Sequence, residues 1–250
     1  RLWVGTSSGL DLFDREREQF GHLPIGAGSI GHDVLSIAQD GNNDLWVSHD
    51  NGVIKLTLTG AEGTNGLPKC TSKYLLDHTC FLSTDSKGNI WVGQLDRGGF
   101  RIRPDHAGKD VVDTLHLEQP VGDTREGRSR LDLTGLMVVE DTVNQRLFGL
   151  HLFGIVELDA RSTRARTVLT LEKPLGHFRG SNAIWDASGR LWAALSSGIH
   201  VFDPASGRLA RAMPRDRNMT GHTNVEKCAY RDHHGSLWFG TGGYGAIRYD

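Results

Sequence analysis

The stretch Leu2-Trp3-Val4-Gly5-Thr6-Ser7-Ser8-Gly9-Leu10-Asp11-Leu12-Phe13-Asp14 decides the fold of this chain, because it returns. A hydrophobic pair and a small residue lead into a short polar turn ending in glycine, and an alternating strand then closes on aspartate. The same grammar recurs at Leu45-Trp46-Val47-Ser48, Ile90-Trp91-Val92-Gly93, Leu147-Phe148-Gly149-Leu150, Leu191-Trp192-Ala193-Ala194 and Leu237-Trp238-Phe239-Gly240. With Trp3, Trp46, Trp91, Phe148, Trp192 and Trp238 as markers, the spacings are 43, 45, 57, 44 and 46 residues. Self-similarity at a period of about 40 to 50 residues is the signature of a propeller or solenoid array.

The second repeat shows a whole unit. Asp33–Gln39 reads as a first strand, and Asp40-Gly41-Asn42-Asn43-Asp44 as a turn of residues that tolerate positive φ. Leu45–Ser48 is a second strand, His49–Gly52 a second turn, Val53–Thr57 a third strand and Cys70–Leu76 a fourth. Four short antiparallel strands in about 45 residues make one blade of a β-propeller. The predicted blades span about 1–26 (partial), 33–76, 79–119, 136–174, 182–214 and 225–250 (partial), in one domain or a fragment of one. The fourth departs most: its marker is Phe148, and a polar insert, Pro120–Gly135 with Arg125, Arg128 and Arg130, precedes it. That insert reads as a tolerated surface excursion, with a binding loop as the alternative.

Strand counting sharpens the expectation. The first unit has its second, third and fourth strands (Leu2–Gly5, Leu10–Phe13, Gln19–Leu23) without a first, and the sixth has three strands without a fourth. Closing such a ring leaves sheet edges open, which natural proteins avoid. The expectation is therefore a piece of a longer chain that supplies at least one more blade; the alternative is a six-bladed ring with a non-standard closure.

Composition narrows the class. A hydrophobic content of 38%, a charged content of 23% and a formal net charge of −2 are ordinary for a globular protein and give no footprint for nucleic acid. The 32 glycines against 7 prolines fit many tight turns. Three cysteines (Cys70, Cys80, Cys228) are too few for a disulfide scaffold. Cys70 and Cys80 could pair in an oxidising compartment, or all three could be buried or half-buried thiols.

In such an array the marker aromatics fill the wedges between neighbouring blades. An indole buries roughly 150 to 250 Å², an upper estimate of several kcal/mol per blade at about 25 cal/mol per Å². The Asp…Gly turn before each marker reverses the chain tightly. Both are predicted to be structural.

The recurring pattern Asp-x-x-Gly-x-Leu-Trp-Val-Gly-Thr-x-x-Gly-Leu-x-x-Phe-Asp resembles the two-component regulator propeller repeat. Leu2–Asp14 matches it almost completely, Asp186–Asp203 and Asp232–Asp250 match it well, and the fourth unit matches loosely. The resemblance implies a seven-bladed β-propeller in the periplasmic sensor region of a hybrid histidine kinase or diguanylate cyclase, followed by an output module. It does not fix the ligand, because the repeats define blades and not pockets.

Twelve histidines are many for this length. His32, His78, His177 and His222 each fall in a connection between an outer strand and the next inner strand, 14, 13, 15 and 16 residues before a marker. Several imidazoles are thereby predicted near one channel mouth, able to titrate near neutral pH or to act as acid or base, or simply to make local hydrogen bonds. Asp50, Asp96, Arg97, His151 and Tyr244 are expected on the same face, where acidic, basic and aromatic groups suit a small polar ligand such as a saccharide. Metal-ligand spacing, a phosphate-cradling loop and a Gly-x-Ser-x-Gly elbow are absent from the sequence, so neither metal nor cofactor is expected. His233-His234 falls in a turn on the opposite face.

The function expected is a non-catalytic extracytoplasmic sensor, with a polar ligand, an output domain in the same longer chain and, optionally, a second copy as partners. The competing expectations are a lyase resembling the streptogramin lyases, whose short propeller repeats share an Asp-Gly-x-x-Trp core, and a protein-binding platform.

Overall fold

The structure, a computed structural model, describes residues 2–23, 33–49, 52–62, 68–77, 80–94, 98–104, 109–118, 133–171, 174, 183–195, 198–212, 228–240 and 245–250. The described residues are all-β and include no helix. The first sheet joins β1 (Leu2–Thr6), β2 (Gly9–Asp14) and β3 (Gln19–Leu23). The second joins β4 (Val34–Gln39), β5 (Leu45–His49), β6 (Gly52–Glu62) and β7 (Pro68–Asp77), and the third β8 (Cys80–Thr84), β9 (Ile90–Gln94), β10 (Gly98–Pro104) and β11 (Asp110–Thr114). After β12 (His116–Leu117), the fourth contains β13 (Met137–Asp141), β14 (Arg146–His151), β15 (Gly154–Leu158) and β16 (Arg164–Thr170). The fifth has β17 (Ala183–Trp185), β18 (Leu191–Leu195), β19 (Gly198–Asp203) and β20 (Arg208–Arg211), and the sixth β21 (Cys228–Arg231), β22 (Leu237–Gly240) and β23 (Ala246–Tyr249). Each sheet is an antiparallel meander in chain order, the form of a propeller blade. The exception is β12, which runs parallel to β16 and adds a fifth strand to the fourth sheet.

Strand boundaries follow the alternation closely. The largest difference is β6, which continues past Thr57 to Glu62 because its ladder with β7 extends to the pair Glu62↔Pro68. The end of the polar insert also differs from a surface excursion. Leu133 is 2% exposed and packs with Leu136 against the third and fourth sheets, while Arg125, Arg128 and Arg130 lie outside the described residues.

The core is a series of five seams between consecutive sheets. Leu10 and Leu23 meet Leu45, Val47 and Leu56 at the first. Trp46 and Val53 meet Leu82 and Ile90, and Trp91 meets Val138 and Leu147. Phe148 meets Trp185 and Leu191, and Trp192 meets Leu237 and Phe239. The markers Trp46, Trp91, Phe148 and Trp192 thus face the following sheet. Strand alternation sets that face: the flanking Leu45 and Val47 point back while Trp46 points forward, as period-2 alternation requires.

Two close approaches explain the small residues of the repeat. A Cβ on Gly93 would lie 1.9 Å from the Leu136 carbonyl oxygen, so the connection into the fourth sheet passes directly over β9. Gly88, at φ 78°, packs its Cα face on Gly41, where a Cβ would lie 2.4 Å from the Gly41 nitrogen. The inner strands are also tied across the seams. Ser36 Oγ accepts the Leu82 N–H at 2.9 Å, and Ser83 Oγ accepts the Val138 N–H at 3.3 Å. These hydroxyls satisfy edge donors that would otherwise be bare.

Candidate functional site

The chemistry-bearing side chains gather at the two ends of the strands. At the end holding the turns between first and second strands, the second to sixth sheets repeat one device. The first aspartate of the turn accepts two turn N–H groups on Oδ1 and, on Oδ2, the indole N–H of the marker six residues on. The indole distances are 2.9 Å for Asp40–Trp46, 3.0 Å for Asp85–Trp91, 2.8 Å for Asp186–Trp192 and 2.8 Å for Asp232–Trp238. In the fourth sheet Phe148 has no N–H to give, and Asn144 Nδ2 takes its place on Asp141 at 2.7 Å. The aspartate therefore shapes the turn and also anchors the tryptophan. Burial pushes the Asp186 carboxyl up, but donors from Arg190, Ser188 and Trp192 outweigh it and hold the group at about 2. The indole of Trp238 together with the N–H groups of Ser236 and His234 likewise holds Asp232 low.

Each of these markers also carries a cation. Lys55 lies 5.1 Å from the Trp46 ring centroid, Arg101 5.8 Å from Trp91, Arg146 4.7 Å from Phe148, Arg190 5.8 Å from Trp192 and Arg248 5.7 Å from Trp238. Lys55 is the most enclosed, with Asp110 at 2.7 Å, Asp44 at 3.1 Å and Asp40 at 3.6 Å. Burial pulls its pKa down, but hydrogen bonds to Asp110 and Asp44 outweigh that and raise it, so it is a fixed cation. Arg101 bridges Asp113 at 2.8 Å and the Ala160 carbonyl at 2.7 Å, joining the third and fourth sheets. These carboxylates and cations are consumed by one another.

Grooves open at this end between the described sheets. One, of about 640 Å³, lies between the third and fourth sheets and is ringed by Lys87, Glu140, Arg146, Glu157, Arg164 and Arg166. Glu157 pairs with Arg146 at 2.7 Å and with Arg166, and Ser86 donates its N–H and hydroxyl to Glu140. Another, of about 960 Å³, crosses the inner strands of the fourth to sixth sheets, with Val143, Ile184, Trp185 and Tyr230 in its wall. His233 and His234 line its rim, with ring centroids 3.7 Å apart.

The opposite end carries the turns between second and third strands. Of the residues expected there, His32, His78, His177, His222, Asp50, Asp96, Arg97 and Tyr244 lie outside the described residues. His151 is described. It ends β14 and is 2% exposed, enclosed rather than facing an opening. Its Nδ1 is buried with no hydrogen-bond partner among the described residues, and burial pushes its pKa down to about 4, so the ring is neutral.

A pattern missed in the sequence emerges around it. Three residues after the marker stand His49, Gln94 and His151, exposed by only 3%, 2% and 2%. The counterpart in the first sheet is Thr6, and in the fifth Leu195. A row of buried polar groups thus underlies this face in three consecutive sheets, and the marker spacing alone would have located it. Among the described residues no group of three metal-ligating side chains converges. Cys228 is exposed, unlike the buried or half-buried thiol expected. Among the described residues no helix is long and apolar enough to cross a membrane.

No protein-family model matches the chain, and no curated protein does. Solved structures do. The extracellular domain assigned to a hybrid two-component system of Bacteroides thetaiotaomicron superposes with a TM-score of 0.68 at 17% identity, over 99% of this chain and 32% of that one. An auxiliary nutrient binding protein of the same species gives 0.59 at 13% identity, over 98% and 64%. A gluconolactonase from Xanthomonas campestris gives 0.53 at 15% identity, over 87% and 71%. The chain spans about a third of the length of the first of these structures, and its all-β, serial-sheet fold is the fold they share.

Proposed function

We propose that this chain is the ligand-sensing, non-catalytic propeller of an extracytoplasmic signal-transduction protein. The observation that carries the reading is the superposition on the extracellular domain of a two-component system across nearly the whole chain. The repeat pattern resembles the sensor propeller family independently of that superposition. The local chemistry agrees: the repeated turn carboxylates are engaged as acceptors for turn N–H groups and indoles, a structural role.

The six sheets act as blades of a ring that a further sheet completes between the sixth and the first, giving seven. The rear face of the first sheet supports this, because Leu2 is 43% exposed where the equivalent Leu45 is covered, and Phe20, on the same face across Phe13, is 63% exposed. Ligand binding shifts the population of two arrangements of an output domain in the same longer chain, in proportion to its differential affinity for them. The ligand is small and polar, such as a saccharide, and a second copy of the chain is an optional partner.

The test is a pair of measurements on the purified protein. A panel of soluble saccharides is screened for a saturable rise in unfolding temperature, and glucono-1,5-lactone hydrolysis is followed in parallel. Stabilisation without turnover supports a sensor. Lactone turnover that one side-chain substitution abolishes, with the fold intact, overturns it.

A further inference from the structure

In the second, third and sixth sheets, the residue opposite the marker on the third strand is a cation: Lys55 faces Trp46, Arg101 faces Trp91 and Arg248 faces Trp238. In the fourth sheet the sign reverses, and Glu157 faces Phe148. That carboxylate gathers two guanidiniums at the groove between the third and fourth sheets. Arg146 reaches Oε1 through its Nε at 2.7 Å, and Arg166 reaches Oε2 through Nη2. Each uses one N–H of its five on Glu157. Burial pushes the Glu157 carboxyl up, but the hydrogen bonds from Arg146 and Arg166 outweigh it and hold the group below its ordinary value. One charged carboxylate therefore sits between two cations, and a positive charge is left over.

Three further cations open onto the same groove. Lys87 lies on the turn between β8 and β9, Arg161 on the turn between β15 and β16, and Arg164 at the start of β16. All three are exposed, and among the described residues none has a carboxylate within ion-pair distance. The carboxylates of the wall are placed differently. Asp85 is buried and takes the Trp91 indole and the Asn89 amide, Glu140 takes two donors from Ser86, and Asp159 takes the Arg161 N–H. Only Glu118 is exposed with its side chain unbonded among the described residues. Five cations and five carboxylates line the groove, so the formal charges balance, but the hydrogen-bonding groups do not: acceptors are filled and guanidinium donors are open. A cleft of about 640 Å³ with open guanidinium forks has the size and the chemistry to hold a small oxyanion.

We propose that this groove binds a small molecule through an oxyanion group, a phosphate or a carboxylate. The group sits on Arg161 and Arg164, with Lys87 facing it from the third sheet. The site goes beyond the sensor reading and does not depend on a saccharide.

Inorganic phosphate and succinate are the two probes, each titrated calorimetrically into the purified protein to about 10 mM at fixed ionic strength, the range of weak binding. The expected result is saturable binding of at least one, weakened tenfold or more in the double variant Arg161→Gln, Arg164→Gln, because charge-assisted bonds are lost. Glu118→Gln should bind at least as tightly as the parent, since it removes a like charge from the rim. These side chains are exposed, so the variants should unfold at the parent temperature. Which probe binds separates a phosphate from a carboxylate source of the same chemistry. Binding of neither probe overturns the proposal. So does binding that the double variant leaves unchanged, or that Glu118→Gln abolishes. Each of these outcomes leaves the sensor reading to its own saccharide and lactone test.

Discussion

Trp46 in the second sheet and Trp238 in the sixth occupy the same register position and make the same bonds. Each gives its indole N–H to the turn aspartate six residues earlier, and each lies under a cation from the third strand. Yet Trp46 is 1% exposed, while Trp238 is only half-buried. The first sheet shows the complementary difference on its rear face, where Phe20 and Leu2 are open and Phe13 and Phe20 meet with ring centroids 4.9 Å apart. The turn-to-indole bond is therefore the same in the second and sixth sheets, and burial is supplied by the neighbour. A sheet of this kind folds its own turn but stabilises itself through the seam.

The largest test of that contrast is Trp46→Ala against Trp238→Ala. The interior change should cost about 3–5 kcal/mol in denaturant unfolding, and the end change less than half of that. Equal costs would break the comparison, because they would mean that the local bonds and not the seam carry the energy.

A second test uses the buried polar row. Thr6 of the end sheet bonds the Gly9 carbonyl within its own hairpin, whereas His151 of an interior sheet is enclosed and neutral. The His151 pKa is about 4 in the folded state and near its ordinary 6.5 unfolded, so on acidification the unfolded chain takes up the proton first. Its contribution to stability is full above about pH 6.5 and is lost as the pH falls to about 4, by at most about 3 kcal/mol. His151→Gln should flatten the unfolding free energy across that window. An unchanged pH profile would show that His151 already meets solvent or a partner.

The smallest effect is expected at Phe20→Ser, about 1 kcal/mol, the value of one aromatic contact. Sedimentation of the same variant should show less self-association than the parent, since a contiguous apolar face is a docking liability. A cost as large as that of Trp46→Ala would mean that the rear face of the first sheet is covered in solution.

Much of the architecture was legible in local signals. The marker aromatics gave the period, alternation gave the strand faces, and the Asp-x-x-Gly turns gave the hairpins, so Gln19–Leu23 and Leu45–His49 fall within a residue of expectation. The role of the turn aspartate was half legible: its turn chemistry is local, but its bond to the indole requires the strand to bring a residue six positions away over the turn. The site was less legible. His151 looks in sequence like any loop-proximal histidine, and only packing shows it to be enclosed. Arg146 and Arg166 look like two surface arginines until the fourth sheet brings both onto Glu157.

By itself, then, the amino-acid order determined a chain of antiparallel sheets with aromatic wedges, because turn preference and period-2 burial act over a few residues. Tertiary structure alone decided which polar groups cross the seams, from Ser36 onto Leu82 to Arg101 onto Ala160, and which face of which sheet stays open. Those outcomes depend on residues some 46 to 59 positions apart that meet only when consecutive repeats pack.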